Sequence, residues 1–173
     1  MAGKPCINSL AVKTSHVLPP DTNNHGTLFG GKLMAYIDDV AAIAAVRHAR
    51  KPVVTASTDS VDFLAPVKEG DSVCVEAFVT WTHNTSMEVF VKAVTEDLLT
   101  GDRKVCTTAF LTFVAVDDDG KPVSVSEAHP ESAQEKQLHE SAPERAAERK
   151  KRRGRSKEMA AAFGTAYPWN ETE

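Results

Sequence analysis

Hydrophobic and polar residues alternate along most of the first two thirds of the chain, a pattern typical of half-buried β-strands. Turn residues rich in proline, glycine and aspartate separate the alternating segments. The pattern predicts five strands, at residues 9–18, 53–64, 72–82, 87–98 and 104–117.

One segment between the first two strands has a different period. Its apolar residues recur at the spacing of one helix face, which predicts a helix from Gly30-Gly31 to about Arg47. The apolar positions of this helix are Leu33, Ile37, Val40 and Ala44. One long helix beside a run of antiparallel strands predicts an α+β fold in which the sheet wraps around the helix.

The composition narrows the class of protein. The chain has 173 residues, of which 42% are hydrophobic and 25% charged, with a net charge of −4; this indicates one globular domain and disfavours general polyanion binding. There is no apolar run long enough for a transmembrane helix and no signal-peptide pattern, so we expect a cytoplasmic protein without a membrane partner. Three cysteines without a paired motif and six histidines without ligand spacing predict no disulfide framework and no metal site.

The composition changes near His129, where charge and alanine replace the alternating pattern. We therefore predict a folded domain at residues 1–127 and a charged, partly helical C-terminal extension at residues 128–173.

The loop before the helix carries the candidate chemistry. Residues 26–33 approach a phosphate-binding P-loop, but Leu33 stands where that motif needs serine or threonine for magnesium. A different use of the glycines is favoured: where a loop enters a helix, free backbone amides and the helix dipole stabilise negative charge. Gly30 and Gly31 could thus polarise a carbonyl group, although a glycine pair also serves a simple tight turn.

Asp38 follows Gly31 by seven residues, which places both on nearly the same helix face and about 10.5 Å apart along the axis. The apolar neighbours of Asp38 and Asp39 lead us to expect at least one of these carboxylates near an apolar face. Because one helix separates Asp38 from Gly31 so widely, an antiparallel partner helix in a dimer would bring them together better. Asn23 could orient water or a carbonyl group, and it could equally be a turn residue.

Residues 21–41, with the sequence D-T-N-N-H-G-T-L-F-G-G-K-L-M-A-Y-I-D-D-V-A, resemble the acyl-CoA thioesterases of the hot-dog fold. The resemblance is to their bacterial branch, which is similar to the cytosolic long-chain acyl-CoA hydrolases of animals. It covers about residues 8–125 and continues through residues 54–63, 66–71 and 109–117.

The resemblance implies a curved antiparallel sheet around one helix, a dimer as the minimal unit and a trimer of dimers. The family's essential asparagine falls on Asn23 and its essential aspartate on Asp38, with the Gly31 amide polarising the thioester carbonyl. It implies acyl-CoA as substrate and no cofactor beyond the coenzyme A that is part of substrate and product.

Further substrate contacts are predicted outside this loop. Thr58 and Asp59 could line the pocket near Asp38, or could lie on an exposed strand face. The turn formed by Asn84, Thr85 and Ser86 lies, by the resemblance, near the pantetheine and diphosphate, and a plain hairpin turn is the alternative.

Seven cations stand between residues 149 and 157. They could form a solvated tail, bind the phosphates of coenzyme A through Arg153 and Arg155, or bind nucleic acid. The last use is disfavoured by the absence of interleaved aromatics and by the negative overall charge.

The sequence therefore predicts an acyl-CoA thioester hydrolase, with Asp38 as general base on water. Two alternatives stay open: another hot-dog enzyme such as a hydroxyacyl-CoA dehydratase, and a sensor that binds acyl-CoA without turnover.

Overall fold

The computed structural model of the chain describes residues 3–165. Its helices are α1 and α2, and short 3-10 turns lie at Cys6–Ser9 and Pro19–Asp21. The strands and helices in chain order are β1 (Lys4–Pro5), β2 (Ala11–His16), α1 (Gly30–Ala49), β3 (Val53–Phe63), β4 (Ser72–Thr82), β5 (Ser86–Glu96), β6 (Arg103–Ala115), β7 (Ala128–His129) and α2 (Ala133–Phe163).

Five strands form one antiparallel sheet in the order β2-β4-β5-β6-β3, so β2 and β3 lie at its edges. Helix α1 contacts each of these strands, which confirms the predicted α+β arrangement of one helix against the sheet. The two-residue strands β1 and β7 form a separate parallel pair that the sequence pattern did not indicate, because two residues are too few to show a period.

The buried face of α1 confirms the predicted helical period. Leu33, Ile37, Val40 and Ala44 are all buried in the main hydrophobic core. The helix continues two residues beyond the predicted end, to Ala49. It ends at Arg50, which has a left-handed backbone with φ 53° and donates its amide to Val46 at 2.8 Å. Glycine is the residue that usually adopts this conformation at a helix end, so an arginine here gives no sequence signal for the end of α1.

Helix α2 begins at Ala133, within the extension at residues 128–173 that the sequence predicts to be partly helical. A capping box starts the helix: Ser132 Oγ accepts the Glu135 amide at 3.2 Å, and Glu135 Oε2 accepts the Ser132 amide at 2.8 Å. The spacing of serine and glutamate in the sequence could have revealed this start. The chain divides into two compact units between His139 and Glu140, while the predicted boundary after residue 127 stays a prediction.

The first strand of the sheet is shorter than predicted. Residues 6–9 form a 3-10 turn in which Ser9 Oγ donates to the Cys6 carbonyl at 2.6 Å. The same hydroxyl accepts the Val79 amide at 2.8 Å, so Ser9 ties this turn to β4. Because the serine bonds both partners, it ends the extended pattern before Ala11.

His48, one residue before the end of α1, is the most deeply buried titratable side chain of the helix, and its Nε2 lies 2.8 Å from the Ser126 carbonyl. Burial lowers the pKa of His48 below its ordinary value of 6.5, which outweighs the opposing effect of the Ser126 hydrogen bond. The neutral ring therefore donates from Nε2 to Ser126 in the folded protein.

We expect this histidine to make stability depend on pH. Below about pH 6.5 the unfolded chain binds a proton at His48 that the folded chain resists, so the free energy of unfolding falls as the pH is lowered. Urea unfolding at about pH 7.5 and about pH 5.5 measures the effect. His48→Gln should lose less stability on acidification than the parent, whereas His16→Gln, at an exposed position, should behave like the parent. An unchanged pH dependence in His48→Gln would contradict the assignment.

Candidate active site

The start of α1 presents uncapped backbone amides. Phe29 occupies the N-cap position, and within residues 3–165 no side chain caps this end. The Phe29 amide donates to the Asp21 carbonyl at 2.9 Å, and its carbonyl accepts the Lys32 amide at 2.9 Å. Helix geometry leaves the amides of Gly30 and Gly31 without an intrahelical acceptor. This helix end therefore offers two donors, reinforced by the helix dipole, to a negatively polarised oxygen.

A neighbouring phenyl ring occupies the space where a side chain at Gly31 would lie. A Cβ built on Gly31 would lie 2.5 Å from Cε1 of the Phe29 ring, so a side chain there would force the ring to move. A Cβ on Gly30 would lie 3.9 Å from Cζ of Phe63, an ordinary contact. Two phenyl rings thus flank the pair, and Gly31 itself is exposed.

Asn23 lies in the loop that leads to this helix end. Its Nδ2 donates to Thr27 Oγ1 at 3.0 Å, and its Oδ1 accepts the His25 amide at 2.9 Å. The Asn23 amide also donates to the Thr27 carbonyl at 2.8 Å. The side chain therefore shapes its own turn within the chain, which was the alternative use considered for this asparagine.

Asp38 and Asp39 are both exposed, so the expectation of a carboxylate near an apolar face is not met within one chain. The helix directs its apolar face toward the sheet, and the two carboxylates lie at the flanks of that face, where each meets an edge strand. They differ in their partners: Thr55 Oγ1 donates to Asp38 Oδ1 at 3.0 Å, whereas Asp39 forms an ion pair with Lys13 at 2.7 Å. Asp38 is held by a neutral donor, and among the described residues no cation forms an ion pair with it.

Thr55 was absent from the predicted site. It lies on edge strand β3, opposite Phe113 of β6, whose side chain belongs to the core on the helix side of the sheet. Cross-strand partners share a face, which places Thr55 on the side of α1. Its position two residues into an alternating strand could have indicated this face, but not the contact with Asp38.

The Asp59 carboxylate lies on the face of the sheet away from α1. Irregularities in the β3–β6 pairing fall between Thr55 and Ser57 and again between Thr58 and Ser60. The Asp59 carboxylate accepts hydrogen bonds from Ser57 Oγ at 2.7 Å and Thr112 Oγ1 at 2.8 Å. Thr112 alternates with the core residues of β6 and so lies on the face away from α1. Asp59 therefore does not line a pocket with Asp38 in this chain, while Thr58, opposite Leu111, stays exposed on the helix side.

The turn at residues 83–85 lies at the end of the sheet where β3 begins. The Thr85 carbonyl accepts the Ala115 amide at 3.0 Å, and Ala115 is paired with Val53. Ser86 starts β5, and Asn84 accepts the Val125 amide at 3.1 Å through its carbonyl. Gly30, in contrast, lies beside the last residue of β3. These polar residues are therefore on the Asp38 side of the molecule and remote from the glycine pair of the same chain.

Apart from Thr58 and Asp59, the predicted site residues of the first unit thus fall into two groups. Asn23, Gly30 and Gly31 gather at the start of α1. Asp38, with Thr55 and the β4–β5 turn, lies farther along the helix. In the described part of the chain, no cluster of three or more potential metal ligands is present, and no helix is long and apolar enough to cross a membrane.

Arg153 and Arg155 lie on α2 within the second unit, and both are exposed. Two residues separate them, so they point about 200° apart around the helix. Arg153 instead shares a face with Lys150 and Lys157, which line a shallow depression of about 480 Å³. Arg153 and Arg155 therefore do not lie on one face of the helix. The cations that share a face with Arg153 are Lys150 and Lys157.

An antiparallel sheet packed around one long helix is the architecture of the hot-dog class of proteins. The thioesterase superfamily matches residues 25–101. An uncharacterized acyl-CoA thioester hydrolase of Bacillus subtilis, YkhA, is 57% identical over 164 residues, which are 95% of this chain and 95% of the relative. The chain therefore belongs to the thioesterase superfamily.

Solved structures agree with this placement. An acyl-CoA hydrolase from Staphylococcus aureus, solved in complex with butyryl coenzyme A, coenzyme A and coenzyme A disulfide, has a TM-score of 0.88 at 45% identity, over 92% of this chain and 98% of that chain. The same hydrolase has been solved with an asparagine, an aspartate or a threonine replaced by alanine. A hexameric acyl-CoA thioesterase in its apo form has a TM-score of 0.86 at 51% identity, over 88% of this chain and 97% of that chain.

Proposed function

We propose that this protein hydrolyses acyl-CoA thioesters to a free fatty acid and coenzyme A. The observation that carries the proposal is one helix that presents bare amides at Gly30-Gly31 and a threonine-held carboxylate at Asp38. The names of its relatives, acyl-CoA thioester hydrolase and acyl-CoA hydrolase, describe the same reaction.

The chemistry needs few groups because a thioester carbonyl is weakly stabilised by resonance and a thiolate leaves readily. The Gly31 amide donates to the carbonyl oxygen and stabilises the oxyanion that forms. Asp38 accepts a proton from water as the water oxygen bonds to the carbonyl carbon. The carbon–sulfur bond then breaks, and the leaving coenzyme A thiolate takes up the proton that Asp38 accepted, which restores the carboxylate. Asn23 orients the water or the substrate carbonyl.

These groups come from two protomers in our proposal. Gly31 and Asp38 of one helix are about 10.5 Å apart along its axis, too far for one water to serve both. The outer edge of β3 offers unpaired backbone to a second sheet, and Met34, Ile43 and Val54 expose apolar surface on α1 and β3. A dimer is the minimal unit, and the related hexameric thioesterase supports a trimer of dimers.

The substituted residues of the Staphylococcus aureus hydrolase support the choice of side chains. In that protein the aspartate follows the asparagine by 15 residues and the threonine follows the aspartate by 17. Asn23, Asp38 and Thr55 have the same two spacings. Thr55 therefore joins the proposed site as a positioning residue for Asp38.

The remaining predicted contacts concern the coenzyme A portion of the substrate. We assign Arg153 and the cations that share its face to the phosphates, and Arg155 to a weaker electrostatic contribution. We place Thr58, Gly30 and the turn residues Asn84–Ser86 at the substrate in the oligomer. The free thiols of Cys6 and Cys106 are buried, which supports a reducing compartment such as the cytoplasm.

Replacement of the general base should abolish most of the activity. Asp38→Asn removes the proton acceptor with little change in shape, so we expect kcat for thiol release to fall about 10²–10⁴-fold. Asn23→Ala should also lower kcat. The matched control is Asp39→Asn, which removes a neighbouring carboxylate on the same helix. Equal losses in Asp38→Asn and Asp39→Asn would contradict the role of Asp38. Release of thiol from a saturated acyl-CoA also distinguishes a hydrolase from a dehydratase or a sensor.

The Thr55 hydroxyl should matter through the position of Asp38. Thr55→Val removes the hydrogen bond and should lower kcat about tenfold with little change in KM, because a misplaced base weakens the transition state more than substrate binding. Thr55→Ser keeps the hydroxyl and should retain most of the activity, and Thr14→Val controls for loss of an exposed strand threonine. A serine variant as impaired as the valine variant would exclude this role.

The basic face of α2 should distinguish substrates by their phosphates. Arg153→Gln combined with Lys157→Gln should raise KM for acyl-CoA several-fold and leave KM for the corresponding acyl-pantetheine nearly unchanged. Lys136→Gln, on the same helix but outside the basic run, is the control. An equal rise for both substrates would remove the phosphate assignment.

A further inference from the structure

The side chain of Asn23 is held by the loop in which it lies. Its Oδ1 accepts the His25 amide at 2.9 Å and the Thr27 amide at 3.3 Å. Its Nδ2 donates to Thr27 Oγ1 at 3.0 Å, and the same hydroxyl lies 3.2 Å from Oδ1. Asn23 and Thr27 are both half-buried, whereas His25 is exposed. Thr27 therefore contacts both polar atoms of the Asn23 carboxamide.

These contacts leave one hydrogen-bonding group of Asn23 available to a ligand. A carboxamide has two lone pairs on its oxygen and two hydrogens on its nitrogen. Because backbone N–H groups only donate, the His25 and Thr27 amides fix which atom is the oxygen, and they occupy both of its lone pairs. Thr27 Oγ1 takes one of the two Nδ2 hydrogens. The second Nδ2 hydrogen has no acceptor within residues 3–165, so Asn23 meets a ligand as a donor.

The backbone of the loop keeps Thr27 in place without help from its hydroxyl. The Asn23 amide donates to the Thr27 carbonyl at 2.8 Å, and the Gly26 amide donates to the Asn23 carbonyl at 3.1 Å. Gly26 has φ 70°, a left-handed conformation that favours glycine. A second segment supports the loop, since the Glu69 amide donates to the Gly26 carbonyl at 3.0 Å and Lys68 pairs with Thr27. Loss of the hydroxyl alone should therefore leave the turn folded.

We propose that Thr27 is a positioning residue, which holds the Asn23 carboxamide so that its second Nδ2 hydrogen is donated to the reacting groups. This role rests on the proposed hydrolase function. Without the Thr27 hydroxyl, Nδ2 loses an acceptor and the carboxamide gains freedom about its terminal torsion, which has only a weak preference of its own. A donor stabilises developing charge only when it is aimed at the oxygen that carries it, so this freedom slows the reaction.

The test is kcat and KM for thiol release from one saturated acyl-CoA, measured with the full-length protein. Thr27→Val keeps the shape of the side chain but removes the hydroxyl, so it should lower kcat about tenfold with little change in KM. Thr27→Ser keeps the hydroxyl and should retain most of the activity. Thr22→Val is the matched control, because it removes a hydroxyl of the same loop that donates to the Pro19 carbonyl at 2.8 Å. Its kcat should equal that of the parent.

A double-mutant cycle separates this role from a purely structural one. Since Thr27 acts through Asn23, Thr27→Val should lower kcat no further in a protein that already carries Asn23→Ala. Asn23→Asp keeps an acceptor for the two backbone amides but has no N–H group. It should therefore be as impaired as Asn23→Ala, even though the turn is preserved.

The contradicting results differ from one another. A fall in kcat by the same factor with and without the Asn23 side chain would show that the Thr27 hydroxyl acts elsewhere. A kcat near that of the parent in Asn23→Asp would show that Asn23 acts as an acceptor. If circular dichroism shows that Thr27→Val is unfolded, Thr27→Ala replaces it in the same cycle, again against Thr27→Ser. A parent protein that releases no thiol would instead refute the proposed hydrolase function.

Discussion

The packing of α1 against the five-stranded sheet is the constraint on which the candidate site depends. Leu33, Ile37 and Val40 are almost completely buried, and each such side chain contributes about 1.5–3 kcal/mol through its burial. This face can meet the sheet in only one orientation, which leaves Gly31 and Asp38 outside it and exposed. The same packing therefore secures the core and fixes the direction of the two groups that we propose to act in catalysis.

The elements with strong periodicity could be predicted because their period reports burial directly. The bounds of β4 agree with the prediction, and α1 begins at the predicted glycine pair. Errors occurred where a local hydrogen bond overrides the pattern. Ser9 ends the extended segment before β2. Arg50 ends α1 in the left-handed conformation, for which glycine is the usual residue in a sequence.

The candidate site was predictable in part. Gly31 and Asp38 could be related by helix geometry alone, and the resemblance added the role of Asn23. Thr55 could not be paired with Asp38, because the contact joins a strand to a helix across 17 residues of sequence. For Asp59 the sequence left two uses open, a pocket near Asp38 and an exposed strand face, because two irregularities in β3 change which side chains face α1. A strand displaced by one residue exchanges its faces, and no residue of this segment marks the change.

The outer edge of β3 has a consequence for the isolated chain. Eleven residues of edge backbone lie next to exposed Val54 and Phe63, with no charged side chain before Asp59 to discourage pairing. An edge strand with unpaired backbone groups and no charged side chain can form β-sheet hydrogen bonds with any exposed strand of another chain. In the proposed dimer, pairing of this edge with a partner would therefore also protect newly made chains, and damage to that contact would appear as precipitation during synthesis rather than as a stable, inactive monomer.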